Sequence, residues 1–266
     1  MKNRRGSLRA KRLLQEIGFD EITDLSMKLF ISGLGATLVE EKLDNSDGKI
    51  VRGKSKTLIR VNSEIPYESK KRFTIAHEAG HFLMHDKIEV HNENSNTLNW
   101  FKSTENQLKK GLQEWEANDF ASELLMPEQL FHIEAKGELF TPDLVKYLSE
   151  RFKTSISSAL IRCMNLDIHP LMVVFIHNGV VRNWAISSSW RYRIKECTKI
   201  PPPSDSVASE YINADYDFIY SGAEKAQEIA KSTWCELSEY DEDSDFYEYC
   251  IPTKQYKTII SVIWEK

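Results

Sequence analysis

The chain has 266 residues, of which 41% are hydrophobic and 28% charged, and this is enough to bury a full core in two domains or in one domain with an appendage. The formal net charge of −5 gives no general attraction to nucleic acid. The longest apolar run, residues 171–176, is far too short to cross a membrane, and the charged N-terminus lacks the apolar segment of a signal peptide, so we expect a cytoplasmic protein.

The first sixty residues predict two helices followed by strands. Residues 7–17 and 21–32 have helical patterning and are separated by Gly18. Asn45 to Gly48 has the composition of a turn. Strand-like segments lie on either side of it, at residues 36–40, 49–52 and 57–62.

Residues 77–81 read H-E-A-G-H, an H-E-x-x-H motif inside a predicted helix over residues 67–86. His77 and His81 are four residues apart, so they lie on one helical face and both imidazoles can reach one metal ion. Glu78 is placed to take a proton from a metal-bound water. The alternative interpretation is an amphipathic helix with two ordinary core histidines.

Four further residues, in this helix or directly after it, indicate which kind of metal site is present. Met84 and Lys87 stand where the metzincin pattern requires glycine and a third histidine, so that class is excluded. His85 has drifted around the helix, and a polar contact at the helix end is favoured over a ligand role. Gly80 is costly inside a helix, which indicates either close approach of another element or a tolerated glycine.

A third ligand is therefore expected from a second predicted helix, at residues 114–127. At about 100° per residue, Glu114 lies beside the apolar face of that helix. Asn118 follows one turn later and can accept the second N–H of a metal-bound histidine. We assign Glu114 as the ligand and Asn118 as its outer partner, with Glu116 as the rival and a solvated helix-start glutamate as the alternative. The other acidic residues are expected to point away from the apolar face, namely Glu116, Asp119 and Glu123.

The two stretches RFTIAHEAGHFLMH and EWEANDFASELLMP together resemble the ImmA/IrrE family of zinc metallopeptidases. The resemblance covers residues 10–168. It implies His77 and His81 as zinc ligands, Glu78 as general base, and an acidic ligand in the pair 114–116. Family members are cytosolic, and several act by cleaving a helix-turn-helix repressor.

Two segments around this site are expected to serve it. The strand over residues 57–62 would present its edge to an extended substrate. The stretch 89–103 is rich in Asn, Ser and Thr and predicts a loop beside the site.

Amphipathic helices follow at 128–137 and 142–152, and a third runs from a cap at Thr154 or Ser155 to about residue 165. These helices have a helix-turn-helix rhythm but few basic residues, so packing is favoured over DNA binding.

The C-terminal part predicts a small α/β unit that senses a ligand or holds the substrate. A β-hairpin is expected around Asn178-Gly179, the strongest turn signal in the chain. A helix at 223–237 and a final strand at 256–264 complete the unit. The four cysteines show no C-x-x-C spacing and are interpreted as reduced thiols in preference to a redox sensor.

The sequence thus predicts an α+β protein with three parts: a zincin-like metallopeptidase domain (1–127), a helical extension (128–168) and a small C-terminal α/β domain (169–266). The predicted function is a cytoplasmic, Zn²⁺-dependent endopeptidase whose protein substrate is a helix-turn-helix transcriptional repressor. The alternative is a non-proteolytic regulator that binds a protein partner or DNA. Nucleic-acid binding is disfavoured, no membrane association is expected, and the oligomeric state is left open.

Overall fold

The computed structural model describes residues 4–86 and 111–266, and it contains α-helices and two β-sheets, so the chain is of the predicted mixed α+β class. The chain divides into two compact units, Met1–Lys136 with Lys146–Ala159, and Gly137–Val145 with Leu160–Lys266. The predicted boundaries at 127 and 168 stay predictions, and the loop expected at 89–103 lies outside the described residues. Within the described part of the chain, no helix is both long and apolar enough to span a membrane.

The first unit opens with two helices and a three-stranded sheet. The elements are α1 (Arg5–Ile17), α2 (Met27–Gly33), β1 (Ala36–Glu41), β2 (Gly48–Arg52) and β3 (Thr57–Asn62). Helix α1 is capped by Gly18, whose φ of 70° is the left-handed conformation that glycine adopts without strain. Helix α2 is shorter than the predicted segment 21–32 because it starts only at Met27.

The strand order of this sheet is β1-β3-β2, with β1 parallel and β2 antiparallel to β3. β3 is therefore the central strand, and neighbours occupy both of its edges. The expectation that residues 57–62 present a free edge to a substrate is wrong. The sequence shows where strands lie but not how they pair. Here β1 pairs with β3, although β2 lies between them along the chain.

Two long helices follow, α3 (Glu68–Met84) and α4 (Leu112–Leu125). They approach closely at Gly80, where an added Cβ would lie 3.1 Å from Phe120 Cδ1 and 3.2 Å from Ala117 Cα. The interpretation of Gly80 as a point of close approach is confirmed. α1 packs on α4 at Gly6, where an added Cβ would overlap with the carbonyl oxygen of Glu116.

This packing buries more of α4 than its apolar pattern indicates. Glu116 and Glu123 were expected to point away from the apolar face, and that side of the helix is buried as well, since each of the two is only 1% exposed. The physical reason is that α1 covers this side of α4 and supplies polar partners. Glu123, for example, accepts hydrogen bonds from the Ser7 hydroxyl at 3.0 Å and from the Glu128 N–H at 3.1 Å.

Three helices continue the chain, α5 (Glu128–Ala135), α6 (Pro142–Arg151) and α7 (Ile156–Asn165). The predicted cap of α7 is confirmed at Ser155, whose hydroxyl oxygen accepts the Ser158 N–H at 3.1 Å. Arg151 binds both carboxylate oxygens of Glu21, at 2.8 and 2.9 Å, and its Nε–H donates to Glu134 at 2.7 Å. Within the first unit, this ion-pair network ties the end of α6 to two earlier parts of the chain.

The elements of the second unit are β4 (Met172–His177), β5 (Val180–Ile186), α8 (Val207–Asn213), β6 (Ala226–Ala230), α9 (Lys231–Trp234), β7 (Asp245–Thr253) and β8 (Thr258–Glu265). The strands form an antiparallel sheet of order β5-β4-β8-β7-β6. The predicted hairpin is confirmed, with left-handed φ values of 50° at Asn178 and 71° at Gly179. The predicted helix over 223–237 is wrong for most of its length, because β6 pairs with β7. Neither β7 nor α8 was predicted from the sequence.

A buried carboxylate organises the core of the second unit. Glu248 is fully buried and accepts the backbone N–H groups of Val207 and Ala208 at the start of α8, at 2.9 and 3.1 Å. The Trp234 indole N–H (3.2 Å) and the Ser261 hydroxyl (2.6 Å) also donate to it. Burial raises the pKa of Glu248, although these four donors oppose the shift.

The four cysteines are buried and free. Burial raises the pKa of Cys163 to about 12 and those of Cys197 and Cys235 to about 11. Thiols in such surroundings are poor nucleophiles and poor redox sensors.

Candidate metal centre

The site is built on the inner face of α3. Glu68 in its first turn complements the helix dipole. At the other end Arg52 of β2 donates to the carbonyls of His81, Phe82 and His85, at 3.4, 3.3 and 2.8 Å. These bonds satisfy carbonyl groups that the end of a helix leaves without partners. The helix is thus fixed at both ends while its central histidines are buried.

The structure brings His77, His81 and Glu114 together. His77 Nε2 lies 3.2 Å from Glu114 Oε2, and His81 Nε2 lies 3.2 Å from Glu114 Oε1. The two Nε2 atoms are 3.0 Å apart. All three side chains are buried, and their ligand atoms lie within 4.8 Å of one another.

The donor atoms have the spacing of a metal site. Ligands bound at about 2.0–2.1 Å in a tetrahedron lie about 3.3 Å from one another, close to the observed 3.0–3.2 Å. Glu114 Oε2 is buried and accepts no hydrogen bond, although His77 Nε2 lies beside it. A buried carboxylate oxygen without a donor is costly, and a cation would compensate it. The three residues could therefore hold a metal ion.

The electrostatics of the cluster favour the protonation states that a metal requires. Burial raises the pKa of Glu114, but the neighbouring imidazoles of His77 and His81 outweigh this effect and hold that pKa well below its usual range. Burial lowers the pKa of His81, against the opposing effect of Glu114. At neutral pH the site thus offers an ionised carboxylate and a neutral imidazole, which are the metal-binding forms.

Each histidine has a second partner on its other ring nitrogen. His77 Nδ1 lies 2.8 Å from Asn118 Oδ1, the position expected for Asn118 from the sequence. Because an amide oxygen only accepts, Nδ1 carries the proton, and Nε2 is the ring nitrogen available to bind a metal. His81 Nδ1 lies 3.0 Å from His85 Nδ1, so His85 makes a polar contact at the helix end and is not part of the three-ligand cluster.

Glu116, the rival ligand, contacts a different group. Its Oε2 lies 3.0 Å from His85 Nε2, and it is not one of the three residues whose ligand atoms converge. Sequence analysis missed this contact because both partners were assigned to other surroundings. The i, i+4, i+8 spacing of the three histidines was the available signal.

Glu78 lies on the α3 turn between the two histidines and is 8% exposed. It packs against Gly48 at the start of β2, where an added Cβ would lie 2.8 Å from Glu78 Oε1. Gly48 was expected only as a turn residue, yet a glycine at a strand end also permits close approach of a side chain. Among the described strands, β2 pairs only with β3, so its other edge starts beside Glu78.

A buried histidine pair, a facing glutamate and a second glutamate within the H-E-x-x-H motif define a candidate single-metal hydrolase site. The model of the family Peptidase_M78, described as the IrrE N-terminal-like domain, matches residues 31–164. The chain belongs to this family, as its resemblance to ImmA/IrrE proteins predicts.

The overall fold has a counterpart among solved structures. A protein named "Mycobacterium tuberculosis transcriptional regulator" is similar with a TM-score of 0.57 and 13% sequence identity, over 97% of this chain and 86% of that one. At this identity the likeness concerns the fold alone. Among curated proteins, none matches the chain.

Proposed function

We propose that the protein is a cytoplasmic, zinc-dependent endopeptidase of the zincin type. The observation that carries the proposal is the convergence of His77, His81 and Glu114 at ligand spacing, with Glu78 on the same turn of α3. Two imidazoles and one carboxylate are the donor set of many catalytic zinc sites, which leave a fourth position open. Membership in a peptidase family supports the same chemistry.

Zinc held by these residues would supply Lewis acidity, lowering the pKa of a bound water to about 7 and polarising the scissile carbonyl. Glu78 accepts the proton of the attacking water and delivers it to the leaving amine. Asn118 holds His77 in the tautomer that presents Nε2. Gly48 leaves the space that the Glu78 carboxylate occupies.

The substrate is a polypeptide in extended conformation, bound along the edge of β2 that no described strand covers. This edge starts at Gly48, beside the proposed base, and an extended peptide can add to such an edge through backbone hydrogen bonds. The resemblance to the ImmA/IrrE family favours a helix-turn-helix transcriptional repressor as the protein that is cleaved.

The metal is tested first. Protein purified without chelator should contain one zinc ion per chain, and His77→Ala should lose it. Glu114→Gln should weaken zinc binding more than Asn118→Ala, because loss of an outer partner typically costs about 10–100-fold in affinity. A wild-type protein that takes up no zinc at neutral pH would refute the proposal.

Peptide hydrolysis is tested with Glu78→Gln, which preserves size but removes the base. The variant should keep zinc and thermal stability and lose most cleavage of a candidate repressor. The alternative function is a regulator that acts by binding a protein partner or DNA, and it is favoured by the similar mycobacterial protein, which is named a transcriptional regulator. If Glu78→Gln relieves repression in cells as well as the wild type does, that alternative is correct.

A further inference from the structure

The β2–β3 hairpin is a basic segment of an acidic chain. Residues 48–62 contain five basic residues and no acidic one, although the chain has a net charge of −5. We call this segment the basic hairpin. Arg60 forms an ion pair with Glu41, and Arg52 donates to carbonyl groups at the end of α3. The remaining positive charges are exposed, form no ion pair with any described residue, and are available to a partner: Lys49, Lys54 and Lys56.

The hydrogen bonds of the basic hairpin show which backbone groups of β2 face its open edge. At one end of the β2–β3 ladder the Gly53 N–H donates to the Lys56 carbonyl, and at the other the Asn62 N–H donates to the Asp47 carbonyl, both at 2.8 Å. In an antiparallel pair, hydrogen-bonded and non-hydrogen-bonded residue pairs alternate. The odd-numbered residues of β2 therefore bond to β3. The even-numbered ones direct their N–H and C=O groups to the open edge, namely Gly48, Ile50 and Arg52.

The side chains of β2 alternate between two faces of the sheet. Ile50 and its β3 partner Ile59 lie on the face that packs on the core. Lys49 lies on the opposite, exposed face. A peptide strand added at about 4.7–4.9 Å from β2 would place alternate side chains on that outer face, within reach of the Lys49 ammonium group. About six residues of extended peptide, or about 20 Å, reach from Gly48 to the turn that carries Lys54.

We propose that the basic hairpin selects an acidic segment of the substrate. The segment is extended and carries Asp or Glu side chains on one side of the scissile bond, within about six residues of it. The inference rests on the proposed function, because the position of Gly48 beside Glu78 puts the scissile bond at one end of the edge. The open backbone groups of β2 bind any extended peptide, and the three lysines distinguish an acidic one from the rest.

An acidic peptide fits this surface better than a nucleic acid does. The lysines lie alongside backbone N–H and C=O groups that no described strand pairs. A peptide satisfies both kinds of group with its own backbone. A phosphate backbone offers acceptors but no N–H donor, so the carbonyl groups of the edge would face its negative charge without a partner. Charge and hydrogen-bonding pattern together therefore indicate a peptide.

The test measures binding, so it needs no catalysis. The probe is a fluorescently labelled peptide that spans the edge and has glutamates in one half, and its neutral counterpart has glutamine at the same positions. Anisotropy titrations use the full-length Glu78→Gln protein, which leaves the probe intact. The glutamate peptide should bind about 10-fold more tightly at low salt, because three exposed ion pairs each contribute modestly. About 1 M salt should remove most of this difference.

Neutralising the three lysines tests whether they cause the discrimination. The variant Lys49→Gln/Lys54→Gln/Lys56→Gln should bind the glutamate peptide about 10-fold more weakly and the glutamine peptide as before. The control neutralises three exposed lysines outside the basic hairpin and changes the net charge equally: Lys28, Lys136 and Lys146. It should keep the discrimination. Equal losses in the two triple variants, or no loss in the first, would overturn the proposal.

Strand addition is tested separately from charge. N-methylation at alternate residues of the glutamate peptide removes the N–H donors from one edge of its strand. Of two such peptides, methylated at odd or at even positions, one should bind much more weakly than the other. Equal affinities would refute the proposal. It would also be wrong if a single-stranded oligonucleotide bound through the three lysines while the glutamate peptide did not bind.

The outcomes separate this inference from the proposed function. If the Glu78→Gln protein discriminates between the peptides as expected but the wild type cleaves neither peptide nor repressor, the peptidase function fails and the acidic-peptide surface stands. If the wild type binds and cleaves both peptides equally well, the selection of an acidic segment is refuted and the peptidase function stands.

Discussion

The close approach of α3 and α4 at Gly80 predicts a substitution that damages both stability and the metal site. In Gly80→Ala the new methyl group would lie 3.1 Å from Phe120 Cδ1, 3.2 Å from Ala117 Cα and 3.3 Å from the Ala117 carbonyl oxygen. Two of these atoms belong to the backbone and cannot rotate away. Removing this steric overlap therefore requires α3 and α4 to separate by a few tenths of an ångström.

The size of the effect follows from two opposing contributions. Alanine favours a helix interior by about 1 kcal/mol over glycine. Overpacking a close-packed contact costs about 1–3 kcal/mol. The net loss in free energy of unfolding should reach up to about 2 kcal/mol. Because Glu114 lies one turn before Ala117 on the displaced helix, zinc affinity should fall as well.

The matched control is Gly33→Ala at the end of α2, where an added Cβ meets no atom within 4 Å. This variant should be neutral or up to about 1 kcal/mol more stable. Urea unfolding of the metal-free proteins and chelator competition for zinc measure the two effects. The reasoning would be refuted if Gly80→Ala matched the control in stability and the wild type in zinc affinity.

Three further predictions concern other parts of the structure. Gly48→Ala should displace the carboxylate of Glu78, lowering peptide cleavage while zinc content stays unchanged, and equal loss of both would contradict the packing argument. Arg151→Met should cost about 1–2 kcal/mol at pH 7 in urea unfolding, since the ion pair is bidentate and the side chains of Arg151 and Glu21 are each only 27% exposed. The hydrogen bond from Arg151 lowers the pKa of Glu21 from 4.5, so this stabilisation is present above pH 4.5 and is lost as the pH falls through the lowered value; a difference from wild type that persisted in strong acid would contradict it. Glu248→Gln should destabilise the second unit by about 2–4 kcal/mol, because an amide offers one acceptor to four donors, and unchanged urea unfolding would show that this carboxylate has no structural role.

Much of the candidate site was readable from the sequence because its geometry is local to two helices. The spacing of His77 and His81 places both on one face, and the spacing of Glu114 and Asn118 does the same on α4. The structure places these four residues as expected, while their roles as ligands and outer partner stay predictions. The hairpin at Asn178-Gly179 could likewise be predicted from neighbouring residues, because its turn requires positive φ at both positions and Asn and Gly adopt it readily.

The errors arose where residues distant in sequence decide the outcome. Residues 223–237 were predicted to form a helix, but residues 226–230 form β6 and pair with β7, since strand pairing overrides weak local propensity. Glu116 was expected only to point away from the apolar face, because the periodicity of α4 shows its most apolar side and not what covers the others. It is buried because α1, more than a hundred residues earlier, covers it.

The sequence by itself determined which residues make up the candidate site: two histidines and a glutamate on one helix, and a facing glutamate on another. Helical spacing fixes such relations within a few residues. Only the tertiary structure decided that Gly48 lies against Glu78, that β2 and not β3 offers an edge there, and that His85 joins His81 to Glu116. These relations depend on which elements pack together. Packing minimises voids and unsatisfied buried polar groups over the whole unit, and no local pattern records this.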